Sequence, residues 1–107
     1  VHLDWRGTRV HVVDHPGYAD FIGAVASTMP LLDAVVICVD ATTGPQPGTD
    51  AAFHEAEADG TPRAFFVNKL DREGAHFDEA VEAICETYGR HCVPLELPHG
   101  EGPGLTE

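Results

Sequence analysis

Basic residues are scarce in this chain. Six Lys and Arg stand against eighteen Asp and Glu, a formal net charge of −12 over 107 residues. A polyphosphate backbone is held by clustered cations, so this balance argues against DNA binding by the segment itself. It also favours solubility without naming a function. No apolar run approaches the ~20 residues that a membrane span requires, and no signal-like segment opens the chain, so no membrane partner is expected. Cysteine is sparse, with Cys38, Cys85 and Cys92 forming an odd count at irregular spacing. That pattern gives no disulfide framework. Cys38 lies in an apolar run and Cys85 on the apolar side of an expected helix, so both read as small core residues in a reducing, cytoplasmic setting. The seven histidines are scattered and no CxxC pair occurs. A structural zinc site is therefore not expected.

What is present is ordinary for a folded protein. Apolar residues make up 43% of the chain and charged residues 22%, enough to bury a core in one domain or part of one. The chain opens at Val1 inside an expected strand, so it reads as a piece of a longer protein.

The punctuation predicts an α/β alternation. Val1–Trp5 and Thr8–Val13 are β-prone and separated by Arg6-Gly7, the spacing of a hairpin. Val10, Val12 and Val13 read as a buried strand running into Asp14-His15-Pro16-Gly17. Residues 19–29 carry Phe21, Ile22, Val25 and Met29 at helical spacing, and Pro30 marks the end. Ala34–Val39 is apolar throughout, as in a fully buried parallel strand. It ends at Asp40, read as a turn or cap residue, and a Gly- and Pro-rich loop follows. Thr49 or Asp50 caps a helix to Asp59, with Gly60 beyond it. Arg63–Val67 is a further strand, ending at Asn68-Lys69-Leu70-Asp71. Phe77, Ala80, Val81, Ile84, Cys85 and Tyr88 form the cleanest helical stripe, closed by Gly89. Cys92–Leu97 reads as a last strand, and 98–107 as a loop leading into an absent continuation. Strands alternating with helices predict a mostly parallel sheet with right-handed crossovers.

In a parallel sheet the carboxyl ends of the strands share one edge, where ligands bind. Three polar clusters fall there: Asp14 with Gly17, Asp40, and Asn68 with Asp71. A carboxylate before a tight Pro-Gly turn suits magnesium and a phosphate oxygen. A carboxylate beside an amide suits a base that offers paired N–H donors, such as guanine. The methylene stem of Lys69 can cover a flat ring.

These residues resemble a known family. Asp14-His-Pro-Gly17 followed by Asn68-Lys-Leu-Asp71 is similar to the third and fourth signature motifs of translational GTPases. Gly17-Tyr-Ala-Asp-Phe21, Gly44-Pro-Gln-Pro47 and the stretch from Pro62 to Phe77 resemble elongation factor G. The resemblance implies a P-loop GTPase-like three-layer sandwich with a mostly parallel sheet, of which residues 1–107 are a partial GTP-binding domain. It implies GTP or GDP and Mg²⁺ as ligands and the ribosome as partner. Asp14 would hold Mg²⁺ through water, and Pro16 and Gly17 would form the γ-phosphate-sensing turn that starts switch II. Asn68 and Asp71 would select guanine, and Lys69 would pack over the nucleotide.

Two departures bear on hydrolysis. Elongation factor G usually has Thr at the second motif position and His after the glycine, where this chain has His15 and Tyr18. A phenol lacks the reach and protonation behaviour of the imidazole that positions the attacking water. His15, one place along a tight turn, would have to substitute for it. The resemblance thus implies nucleotide binding with impaired hydrolysis. A ribosomal protection protein of the tetracycline-resistance kind and a non-hydrolysing interaction module are the alternatives. No GxxxxGK[ST] phosphate loop occurs in the sequence. In the sheet that the resemblance implies, the strand leading into that loop lies between those ending at Asp14 and Asp40, so a gap is expected.

Overall fold

A computed structural model of the chain describes residues 1–17 and 22–105. Four strands and three α-helices follow one another in it: β1 (His2–Trp5), β2 (Thr8–His11), α1 (Ile22–Thr28), β3 (Val35–Asp40), α2 (Pro47–Asp59), β4 (Arg63–Asn68) and α3 (Phe77–Tyr88). The fold is α/β, with β3 and β4 parallel and in register from Val35 opposite Arg63 to Asp40 opposite Asn68. The helix between them is the crossover that parallel pairing requires.

The strands form two separate two-stranded sheets, β1–β2 and β3–β4. This is where the family resemblance implies a gap. No strand among the described residues extends the hairpin, which is exposed along its length, and this corrects the expected buried strand. β2 also ends at His11 rather than Val13. Val1 and Val12 still exchange backbone hydrogen bonds of 2.9 and 3.0 Å, but Val13 has no residue opposite it on β1. Arg6 and Gly7 both take positive φ at the turn, as a tight hairpin demands.

The core lies on one face of the parallel pair. Ile37 and Val39 of β3 are buried with Phe53 and Ala56 of α2 and with Ala80 and Ile84 of α3. Phe53, Phe65 and Tyr88 stack at centroid separations of 4.5–6.0 Å, tying α2, β4 and α3 together. The Arg63 guanidinium lies 4.2 Å over the Phe53 ring. The opposite face is open: Val36 is 64% and Phe66 55% exposed, and Cys38 beside Phe66 is exposed as well. The expected core role of Cys38 is thus corrected. An unbroken apolar run suits burial on two faces, whereas this strand is covered on one.

Element ends follow local chemistry. α1 stops at Thr28, and Pro30 sits in the 3₁₀ turn Met29–Leu31 that follows; the part of the expected helix before Ile22 lies outside the described residues. α2 starts at Pro47, ahead of the expected cap at Thr49 or Asp50. Gln46 is the N-cap, its N–H donating to Thr49 Oγ1 at 3.1 Å, and Pro47 occupies the first helical turn, where its missing N–H costs nothing. Gly60 closes the helix at φ 77°, a left-handed position that a Cβ disfavours.

Cys92–Leu97 does not form the expected strand. Val93, Leu95 and Leu97 alternate, but all three are exposed, and Pro94 has no N–H to give a ladder. The tail that follows is nevertheless fastened. Gly102 N–H donates to Leu70 O at 2.7 Å, and Glu101 Oε1 accepts the Phe77 N–H at 2.7 Å.

Candidate functional site

The carboxyl ends of β3 and β4 are laced together by backbone. Ala41 N–H donates to Asn68 O at 2.9 Å, and His76 N–H donates to Ala41 O at 3.4 Å. Ala41 and Ala75 are buried beneath these loops. Asn68 ends β4, and its Oδ1 accepts the N–H of Lys69 at 2.8 Å. Lys69 then takes φ 63°, a left-handed conformation uncommon for a residue with a long side chain. Two turns follow, closed by Arg72 N–H on Lys69 O and Ala75 N–H on Arg72 O. They present Asp71 on the surface.

Asp40 does more than the turn role read from the sequence. Its Oδ1 accepts the Thr42 N–H at 2.9 Å and the Thr42 hydroxyl at 2.7 Å. Its Oδ2 accepts Lys69 Nζ at 2.6 Å. The Lys69 ammonium and the two Thr42 donors hold the Asp40 carboxyl well below the usual carboxylate range, because each favours the charged form. The sequence puts both Asp40 and Asn68 at strand ends, and the contact with Lys69 comes from how those strands pair. Asp40 and Asn68 each terminate a six-residue strand, so a parallel register sets them side by side.

The Asp14–Gly17 segment follows the exposed hairpin. Asp14 and Gly17 are exposed and His15 is half-buried. His15 Nε2 lies 2.8 Å from Thr28 Oγ1, and the Thr28 hydroxyl has the Ala24 and Val25 carbonyls within 3.0 and 3.1 Å. The His15–Thr28 hydrogen bond turns His15 toward the end of α1. A Cβ added to Gly17 would meet nothing within 4 Å, but one added to Gly48 would lie 2.8 Å from Gly17 O. The turn therefore rests on the first turn of α2, and Gly48 leaves room for it. Tyr18 lies outside the described residues.

A surface hollow of about 270 Å³ lies elsewhere, between Phe77, Asp78, Leu97, Pro98, Gly100 and Glu101. Glu101 already takes the N–H of Phe77 at that helix end, so the hollow offers no anion cradle.

Residues 1–96 match the family model of the elongation factor Tu GTP-binding domain. The chain belongs to this family. Elongation factor G of Fervidobacterium nodosum is 36% identical over 96 residues, covering 90% of this chain and 14% of that protein. Elongation factor G 2 of Streptomyces coelicolor is 40% identical over 108 aligned positions, covering 99% of this chain and 16% of that protein. A crystal structure of a Thermus thermophilus protein superposes with a TM-score of 0.84 at 38% identity, over 94% of this chain and 15% of that one. The chain thus spans a small part of each of these relatives.

Within this GTP-binding-domain family segment, the sites read from the sequence fall into two groups. Asp40, Asn68, Lys69 and Asp71 share the edge of the parallel pair. Asp14, His15, Pro16 and Gly17 form a separate turn that reaches this sheet through the start of α2. Among the described residues no group of three or more His, Cys, Asp or Glu side chains converges as a metal cage. A single exposed carboxylate such as Asp14 still fits magnesium, which keeps several waters and takes other ligands from phosphate. No helix among the described residues is long and apolar enough to cross a membrane.

Proposed function

We propose that this chain is the switch II and guanine-recognition part of a translational GTPase that acts on the ribosome in the manner of elongation factor G. The observation that carries the reading is Asn68-Lys69-Leu70-Asp71 at the carboxyl end of a parallel strand, in a chain of the GTP-binding-domain family. Asp71 is exposed there, and its carboxylate accepts the paired N–H donors of guanine. Asn68 adds an amide, and Lys69 covers the ring with its methylenes. Asp14 holds Mg²⁺ through water when nucleotide is bound. The metal offsets phosphate charge, and the Gly17 N–H faces the terminal phosphate.

The test is binding of a fluorescent GTP analogue by the protein with its complete GTP-binding domain. Asp71→Asn should weaken guanine binding about a hundredfold and move the preference toward xanthine, since a buried mismatch of donors is costly. Failure of the unsubstituted protein to bind at micromolar concentration would overturn the reading.

Slow hydrolysis is the second half of the proposal. It rests on Tyr18 in place of an imidazole and on His15 being engaged by Thr28. Tyr18→His should raise ribosome-stimulated turnover by about tenfold or more, within the usual range of general-base contributions. An unchanged single-turnover rate would remove Tyr18 as the cause.

A further inference from the structure

We infer that Asp40 is a positioning residue for Lys69, fixing the lysine stem as a rigid ledge on which the nucleotide base rests. The inference rests on the guanine-nucleotide reading above and adds a residue to its site.

Lys69 is held at both ends. At its backbone, φ is 63° and Asn68 Oδ1 takes the N–H. At its tip, Nζ is 2.6 Å from Asp40 Oδ2, across from β4 to β3. A lysine stem has many rotamers and is a poor platform when free. Tethered at both ends it is nearly fixed. The side chain remains 43% exposed, so the stem has an open side against which a flat ring can lie.

The charge assignment narrows what Lys69 offers. Its ammonium is spent on a carboxylate, so the surface it presents to a ligand is apolar methylene rather than a cation for phosphate. Asp40 is itself fixed, because its other oxygen receives both the N–H and the hydroxyl of Thr42. The register that sets Asp40 opposite Asn68 makes the tether a property of the sheet rather than of a mobile loop. A half-exposed ion pair contributes little to stability by itself. Its consequence here is orientation.

Asp40→Asn separates the two contacts. The amide keeps an oxygen for Thr42 but no longer holds the ammonium as an ion pair. In the protein with its complete GTP-binding domain, bound N-methylanthraniloyl-GDP is chased with unlabelled GDP for the unsubstituted form, Asp40→Asn, Lys69→Ala and the double variant. Asp40→Asn should speed dissociation about tenfold on its own, and less than about twofold once Lys69 is alanine, the signature of two coupled residues. A purely structural role for Asp40 would give the same factor in both backgrounds. That result, or an unchanged dissociation rate for Asp40→Asn, overturns the inference and leaves the nucleotide reading standing. Failure of the unsubstituted protein to bind the labelled GDP overturns both.

Discussion

Side chains here act largely by what they fasten or leave free. Asp40 divides its oxygens between Thr42 and Lys69, and Glu101 reaches 24 residues back to the start of α3. Gly48 acts by absence. In the first turn of a helix, Gly→Ala ordinarily stabilises by about 0.4–1 kcal/mol, because the unfolded chain loses freedom. At Gly48 the new Cβ would sit 2.8 Å from the carbonyl oxygen of Gly17, and backbone cannot rotate away as a side-chain tip can. Gly48→Ala should therefore lower stability, by roughly 1 kcal/mol on the scale of overpacking costs, seen as a lower urea midpoint with an unchanged slope. A gain in stability would show that the Asp14–Gly17 turn does not rest on α2. The sequence marks Gly48 only as one more glycine in a loop. The contact that gives it meaning comes from a residue 31 positions earlier.

Among the elements, the best read from sequence were those whose pattern and partner lie on the same stretch of sheet. The stripe from Phe77 to Tyr88 gave α3 with its observed bounds, because Phe77, Ala80 and Ile84 are buried and Tyr88 meets Phe65 of β4 and Phe53 of α2. Cys92–Leu97 has an equally clear alternation, yet it is not a strand, because alternation describes a face and a strand also needs a neighbour. The hairpin shows the same dependence in energetic form. It is exposed on all its residues and, among the described residues, joined to no other strand, and an isolated two-stranded hairpin is marginal in water. Amide hydrogen exchange on this chain should find β1 and β2 nearly unprotected, with Ile37–Val39 and Phe65–Val67 among the slowest amides. Equal protection in both sheets would mean that the hairpin is stabilised by contacts beyond its own ladder.

For the whole molecule, the sequence by itself determined the α/β alternation as far as α3, the expectation of parallel strands joined by crossovers, and the placing of Asn68-Lys69-Leu70-Asp71 at a strand end. These follow from hydrophobic period, Gly and Pro punctuation, and the chirality of strand connections, all local or nearly so. The family resemblance carried by those motifs agrees with the match over residues 1–96. Tertiary structure alone decided which face of β3 is covered, and hence that Cys38 is exposed while Val39 is buried. It also decided that His15 meets Thr28, that the Gly17 turn rests on Gly48, and that Asp40 holds Lys69. Each of these joins residues at least a dozen positions apart, and their meeting depends on how whole elements stack. Residue type and spacing specify what a side chain is able to bond, but only packing brings it within 3 Å of a partner.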